Sequence, residues 1–251
     1  MRIRHAILAI CVVLLSGCSH LTREDEERSR LLLRMGVSQM EAGDYPNALR
    51  TMLEAEKLNP KDAVIQNNLG LAFFYRDRLD MSEKHLRLAV AARPDYTEAI
   101  NNLGRILSER GKNAEAIAIL SKAQGDLTYP KPAKISLNLG IAQFRHRQFD
   151  EAREQFRKTL EYGRDNCLAQ NYLGRTFYET RDYKSASETL DRAVGFCKAS
   201  QFDEPHYYSA LAYYQLGQKE QAESRLEEVT KIYSQGKYTE QAKTLLETIR
   251  R

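Results

Sequence analysis

The chain has 251 residues, of which 42% are hydrophobic and 29% are charged, and it contains no tryptophan. Its 38 basic and 34 acidic residues give a formal charge of +4, and so even a balance does not favour a nucleic-acid partner. The length suits one or two globular domains, unless internal repeats set the organisation.

Residues 1–17 have the pattern of an export signal. Arg2 and Arg4 precede an apolar run from Ala6 to Leu15. The run is about half of the roughly 20 residues that a membrane-spanning helix needs. A lipoprotein signal peptide that is cleaved is therefore favoured over a membrane anchor.

The end of this segment, Leu15-Ser16-Gly17-Cys18, resembles the lipobox of bacterial lipoproteins. The resemblance implies that Cys18 is acylated and begins the mature chain, whose acyl chains hold it at a membrane face, since each buried methylene adds roughly 0.8 kcal/mol. In some bacteria an aspartate directly after the acylated cysteine favours retention at the inner membrane. Because Ser19 follows Cys18 here, we expect the lipid to anchor the chain at the periplasmic face of the outer membrane. The alternative is an ordinary signal peptide with an incidental cysteine. Residues 18–28 are polar and are interpreted as a lipidated N-terminal tether.

From residue 29 onward the chain repeats itself. A shift of 34 residues aligns glycine with glycine, and the register continues when two-residue insertions are allowed; the aligned residues are Gly36, Gly70, Gly104, Gly140, Gly174 and Ala210. A second set of aligned small residues lies nearer the middle of each unit: Ala48, Ser82, Ala116, Ala152, Ala186 and Ala222. The register defines six units over 29–236, namely 29–62, 63–96, 97–130, 133–166, 167–200 and 203–236. Apolar residues at helical spacing in 237–251 indicate a capping helix.

A 34-residue period with Leu-Gly in its first half, a small residue near its middle and proline near its end resembles the tetratricopeptide repeat. The small residues let neighbouring helices approach closely, and a two-helix unit cannot bury its apolar face without neighbours. The sequence therefore predicts an all-α tetratricopeptide-repeat superhelix of six helix hairpins plus a C-terminal capping helix, with a concave binding surface.

Two cysteines, Cys167 and Cys197, remain once Cys11 and Cys18 are assigned to the leader and the lipid. They fall at the first and thirty-first places of the fifth unit. In an antiparallel helix hairpin the start of the first helix lies beside the end of the second. An exported compartment oxidises such neighbours, so we expect a disulfide. The alternative is a pair of unpaired, half-buried thiols.

No constellation in the sequence favours catalysis. The five histidines are dispersed without metal-ligand spacing, and the chain has neither a glycine-rich phosphate loop nor a nucleophile elbow. The histidines are His5, His20, His85, His146 and His206. We expect no enzyme, no cofactor and no metal site, which leaves binding of a protein partner.

In repeats of this kind the first helix of each unit lines the concave groove, with places two, five, six, nine and twelve in it or near it. Asparagine there offers a donor and an acceptor to the backbone of an extended peptide, arginine suits a carboxylate, and aromatic rings suit apolar side chains. The alternative is that the asparagines brace adjacent helices and the rings belong to the core. The candidate partner-binding residues are Asn67, Asn68, Leu71, Phe74, Asn101, Asn102, Arg105, Asn138, Ile141, Phe144, Asn171, Arg175, Tyr178, Tyr207, Leu211 and Tyr214.

The lipobox, the short tether and the six repeats together resemble the pilotin lipoproteins of type IV pilus assembly, the PilF, PilW and Tgl family. The period slips after Ala123, and the segment from Asp126 to Pro130, followed by Asn138-Leu139-Gly140, is similar to that family's Asp-x-x-Tyr-Pro loop before its fourth repeat. The resemblance implies binding of secretin subunits, which the lipid holds at the outer membrane while they form the pilus pore. We expect a monomer. The alternative is a periplasmic scaffold for another envelope-assembly or peptidoglycan complex.

Overall fold

The computed structural model describes residues 21–198 and 202–250, so the predicted leader and Cys18 lie outside the described residues. The described residues form thirteen α-helices and no strand, which confirms the expected all-α class. None of these helices combines the length and the hydropathy needed to cross a membrane. The helices are α1 (Arg23–Glu41), α2 (Tyr45–Leu58), α3 (Ala63–Phe74), α4 (Leu79–Ala92), α5 (Thr97–Glu109), α6 (Asn113–Ala123), α7 (Pro132–Arg145), α8 (Phe149–Tyr162), α9 (Cys167–Glu179), α10 (Tyr183–Cys197), α11 (Glu204–Gln215), α12 (Lys219–Ile232) and α13 (Thr239–Arg250).

The helix ends are marked by local capping. Thr22 precedes α1, and its hydroxyl accepts a hydrogen bond from the backbone N–H of Asp25 at 3.0 Å. Asp62 caps α3 and Asn166 caps α9 in the same way, as side-chain oxygens at helix starts commonly do. Helix α1 therefore begins within the segment 18–28 that the sequence assigns to the tether.

The described residues divide into two compact units, one that ends at Tyr96 and one that begins at Thr97. The first unit contains α1 to α4, and its core is formed by apolar residues of α2 and α3, among them Met52, Ile65 and Leu69. The second unit contains α5 to α13. Within each unit, consecutive helices pack as pairs, and each pair packs on the next.

In each of the first five pairs a glycine lies where the two helices approach each other most closely. A Cβ added at any of these glycines would lie less than 3.0 Å from the side chain 16 residues later, so the two helix axes approach to a distance that only glycine allows. The opposed residues are Gly36 and Met52, Gly70 and Leu86, Gly104 and Leu120, Gly140 and Phe156, and Gly174 and Leu190.

The turn within each pair repeats one backbone conformation. Three of the six turns place glycine in the left-handed region, with φ from 74° to 77°, and three place a larger residue there, with φ from 55° to 63°. At all six turns the backbone N–H groups of this residue and of the next one donate to carbonyl oxygens at the end of the first helix, as in the Schellman motif, which ends a helix with a left-handed residue. The six residues are Gly43, Asp77, Gly111, Arg147, Arg181 and Gly217.

The pair α9–α10 is also joined covalently. Cys167 is the first residue of α9 and Cys197 is the last residue of α10, and the structure bonds their sulfurs in a disulfide with the Cα atoms 4.9 Å apart. The start of one helix therefore lies beside the end of the other, as the geometry of a helix hairpin requires.

Candidate functional site

The first helices of successive pairs in the second unit, α5, α7, α9 and α11, lie side by side. A cleft of about 430 Å³ opens on this face, between α5, α7 and the start of α9. We call it the first-helix cleft. Its lining residues are Asn101, Asn102, Arg105, Ser108, Glu109, Lys134, Leu137, Asn138, Ile141, Leu168 and Tyr172.

Five residues of the sequence prediction meet in this cleft: Asn101, Asn102, Arg105, Asn138 and Ile141. Asn101 is buried, and its Oδ1 accepts a hydrogen bond from Asn138 Nδ2 at 2.9 Å. This bond ties α5 to α7, so these two asparagines brace adjacent helices. Asn138 remains half-buried at the cleft surface.

Five other lining residues were not among the sequence candidates although they obey the same rule. Lys134 and Leu168 stand at the second place of their units, Leu137 at the fifth, Tyr172 at the sixth and Ser108 at the twelfth. Applying the rule to every unit would have found them. Glu109 falls outside the rule, and only the structure places it in the cleft.

Apolar and polar side chains line the cleft together. Leu137, Ile141 and Leu168 supply its apolar surface. Arg145 donates to both carboxylate oxygens of the lining residue Glu109, at 3.1 and 3.2 Å. A site of this kind offers apolar contact and hydrogen bonds to a partner's backbone.

Lys134 is the most accessible cation of the cleft. Its side chain is 51% exposed, and its Nζ lies 3.6 Å from Glu98 Oε1, a loose contact for an ion pair. An exposed pair of this kind is worth little by itself. The ammonium can therefore turn to a carboxylate of a bound partner at small cost.

Arg175, which the sequence offers as a ligand for a partner's carboxylate, is already paired within the chain. Its Nη1 donates to Glu204 Oε1 at 2.8 Å. Its guanidinium carbon lies 4.6 Å from the ring centroid of Tyr208 and 4.8 Å from that of Phe144, distances at which cation and ring attract. The structure thus uses Arg175 to join α9 to α11.

Glu204 receives two further hydrogen bonds. Asn171 Nδ2 donates to its Oε2 at 2.9 Å, and the Tyr238 hydroxyl donates to its Oε1 at 2.7 Å. Burial raises the pKa of Tyr238, and the bond to Glu204 raises it further, so this hydroxyl stays a donor at neutral pH. Asn171 is fully buried and braces helices like Asn101.

Tyrosine rings cover the face between α9 and α11. Tyr207 stacks on Tyr238 with centroids 4.7 Å apart, and Tyr178 meets Tyr208 edge-on at 5.8 Å. Tyr178, Tyr207 and Tyr208 are half-buried, and burial raises the pKa of Tyr178 and of Tyr207. Tyr178 and Tyr207 are among the candidates predicted from the sequence, whereas Tyr208 and Tyr238 are not.

The remaining candidates of the second unit lie beside these rings. Phe144 is buried and packs edge-on against Phe149 and Tyr172, which places it in the core. Leu211 and Tyr214 are half-buried on α11, and Tyr214 packs against the C-terminal apolar cluster.

The four candidates of the first unit lie along α3. Asn67 is buried, and Asn68 Nδ2 donates to the backbone oxygen of Val64 at 2.8 Å, so neither amide is presented to a partner in the way the sequence suggests. Leu71 and Phe74 are half-buried. The strongest candidate for partner binding is therefore the first-helix cleft.

Models of the tetratricopeptide repeat match most of the chain. One matches residues 33–97 and 137–204, which together exceed half of its length. Two others match residues 97–123 and 206–236.

Among curated proteins, the type IV pilus assembly protein PilF of Pseudomonas aeruginosa is 23% identical over 199 residues, which are 76% of this chain and 79% of that protein. Protein FlbA of Caulobacter vibrioides is 30% identical over 103 residues, which are 41% of this chain and 17% of that protein. The alignment with PilF thus spans most of both chains, and the alignment with FlbA does not.

Among solved structures, PilW, a type IV pilus biogenesis factor, superposes with a TM-score of 0.78 at 22% identity, over 89% of this chain and 98% of that one. Pseudomonas aeruginosa PilF gives 0.72 at 20%, over 85% and 96%. A chain of the Cut9–Hcn1 complex of the APC/C gives 0.76 at 16%, over 90% and 44%. These likenesses establish the fold, and fold alone selects no function.

Proposed function

The chain belongs to the tetratricopeptide-repeat family, and from this premise we propose that it is a non-catalytic pilotin of type IV pilus assembly. In this proposal it is an outer-membrane lipoprotein that binds subunits of the pilus secretin and promotes their localisation and multimerisation. The observation that carries the proposal is the similarity to PilF over 76% of this chain and 79% of that protein.

The first-helix cleft supplies the proposed grip. An extended segment of the secretin would lay apolar side chains against Leu137, Ile141 and Leu168. Lys134 would take a carboxylate near one end. Because Arg175 is paired with Glu204, it has no part in holding the partner.

The proposed anchor is Cys18, which lies outside the described residues. Helix α1 begins at Arg23, so the chain between Cys18 and the first helix spans at most roughly 18 Å at up to about 3.6 Å per residue. A lipidated Cys18 would therefore hold the first unit close to the membrane.

A binding assay with the secretin's purified periplasmic domains tests the cleft. Leu168 is 38% exposed on the cleft, so Leu168→Glu places a charge on the apolar surface of the cleft without disturbing the core. We expect binding to weaken at least tenfold. Leu88→Glu, at a leucine of α4 that is 43% exposed, is the control and should bind as the unchanged chain does.

The lipid anchor is tested in cells. Cys18→Ala should leave folding intact, remove the protein from the outer membrane and lower the amount of secretin multimer. Normal multimers in these cells would contradict the anchoring role. Failure of the unchanged chain to bind the secretin would leave the periplasmic scaffold as the better interpretation of the fold.

A further inference from the structure

The two most exposed large apolar side chains of the described residues share one surface. Leu127 is 97% exposed and Tyr162 is 66% exposed. Both line a second cleft, of about 480 Å³, formed by the loop between α6 and α7, the start of α7 and the end of α8. We call it the loop cleft. It uses Ile135 and Ser136 of α7, whereas the first-helix cleft uses Lys134, Leu137, Asn138 and Ile141.

Hydrogen bonds hold the loop that carries Leu127. The Asp126 carboxylate accepts from the hydroxyl of Thr97 at 2.5 Å and from the hydroxyl and backbone N–H of Thr128 at 2.6 and 2.9 Å. The hydroxyl of Tyr129, which is buried, donates to the Glu98 carboxylate. These bonds hold the loop on both sides of Leu127, whose side chain is exposed to solvent. Such residues commonly mark contact surfaces.

We propose that the loop cleft is the contact between two copies of this chain. One surface presents both a projecting leucine, Leu127, and an apolar recess between Tyr129, Ile135 and Tyr162. A two-fold contact requires that combination, because each copy must offer the surface that the other one fills. Leu127 of each copy would enter the recess of the other. The inference does not depend on the proposed role in pilus assembly.

The charges at the rim favour a second copy over a partner selected by its charge. Lys158 and Glu161 both line the loop cleft and stand three residues apart on α8, where side chains are neighbours. Lys158 is also paired with Glu154 at 2.8 Å, and the carboxylate of Asp126 is taken by Thr97 and Thr128. A rim with both signs has no preference for an acidic or a basic partner. A two-fold axis would place Lys158 opposite Glu161 of the second copy.

We expect the association to be weak, with a dissociation constant on the order of 0.1 mM, because one leucine in one small cleft is less than the roughly 1,200 Å² contact at which stable interfaces begin. The chain is then a monomer when dilute, as the sequence leads us to expect, and pairs where it is concentrated.

Sedimentation equilibrium between about 10 µM and about 1 mM tests the proposal. The protein is prepared from Ser19 onward, which keeps every described residue and removes the apolar leader and Cys18. Leu127→Asp should raise the dissociation constant at least tenfold. Leu216→Asp, at a leucine that directly follows α11 and is 38% exposed outside the loop cleft, should leave it unchanged. Circular dichroism checks that each variant is folded.

Exchanging the charges of Lys158 and Glu161 distinguishes a two-fold contact from non-specific association. Lys158→Glu and Glu161→Lys should each weaken the association about threefold to tenfold, and the double variant should restore it. A chain that stays monomeric up to about 1 mM, or a Leu127→Asp variant that pairs like the unchanged chain, overturns the inference. So does weaker binding of the secretin by Leu127→Asp in a chain that never pairs, because a different protein would then occupy the cleft.

Discussion

The helix pairs α3–α4 and α9–α10 stand 104 residues apart in the sequence. Their two helices approach each other through the same glycine–leucine contact, but the first helices of the two pairs differ in their bonds to neighbouring helices. Gly70 faces Leu86 in the first pair, and Gly174 faces Leu190 at the same places in the second. The backbones of the two pairs are therefore set by the same close approach of their helices.

The difference lies along one stripe of the first helix. Where α3 has alanine and leucine, α9 has Cys167 and Arg175. Together with Asn171 they follow each other at intervals of four residues, so they share a face. Cys167 is bonded to the end of α10, and the other two bond to Glu204 of α11. Small residues that recur in every repeat thus allow the two helices of a hairpin to pack closely. Residues that occur in only one repeat bond that hairpin to the next one.

Of the changes that remove one of these bonds, replacing Glu204 should lower the free energy of unfolding most. The side chains of Arg175 and Glu204 are 15% and 7% exposed, and breaking a buried pair leaves one charge without its partner. Glu204→Leu should therefore lower the free energy of unfolding by about 3–5 kcal/mol, as measured by urea denaturation. Adding Arg175→Leu, which gives α9 the leucine that α3 has at this place, should restore most of the loss, since an apolar pair replaces a buried ion pair at little cost.

An exposed pair supplies the control for that experiment. Lys243 and Glu240 lie 2.7 Å apart, with side chains 53% and 81% exposed. Glu240→Leu should cost less than about 1 kcal/mol. If Glu204→Leu cost no more than this control, the tie between α9 and α11 would be unimportant. If the double variant were as unstable as Glu204→Leu, Asn171 and Tyr238 would be the important partners of Glu204.

Removing the disulfide should have the next largest effect. Cys167 and Cys197 are separated by 30 residues, and the chain-entropy model assigns a loop of this length about 3–4 kcal/mol. Cys197→Ala should lower the free energy of unfolding by that amount, as measured in guanidinium chloride. A dithiol reductant should lower the stability of the unchanged chain by a similar amount and leave the variant unaffected. Equal stability of the two proteins without reductant would show that the bridge adds nothing.

The repeating part of the molecule could be predicted from the sequence because its cause is local. Gly70 and Gly174 align at a fixed spacing, and the same spacing marks where two helices must approach closely. The cysteine pair was accessible for the same reason, since a helix hairpin by itself brings its two outer ends together. In both cases the hairpin geometry is known before any long-range contact is known.

The hydrogen bonds between neighbouring helix pairs could not be predicted in this way. Arg175 suggests an open site for a carboxylate until Glu204, 29 residues later, is seen to fill it. Asn101 and Asn138 suggest a peptide-binding surface until they are seen to bond to each other. Repeat register fixes which residues lie on a face, but it does not fix which of them pair across helices.

The smallest predicted effect concerns pH and the pair α3–α4. His85 of α4 is buried, and its Nδ1 lies 2.7 Å from Gln66 Oε1. Burial lowers the pKa of His85 below its usual 6.5, although nearby Glu56 opposes the shift. The unfolded chain therefore takes up the proton first as pH falls. Stability from this site is complete above about pH 6.5 and is lost below it, until the pKa of the folded state is reached.

The matching place in α10 is Thr189, which does not titrate. Hydrogen exchange at pH 7.5 and pH 5, corrected for intrinsic rates, should show that α3–α4 loses more opening free energy than α9–α10 does. His85→Gln should remove that excess. If both pairs lose protection equally, a more distant group controls the response. His206 is the first candidate, because its pKa is also lowered by burial and its ring bonds to Glu228 at 2.8 Å.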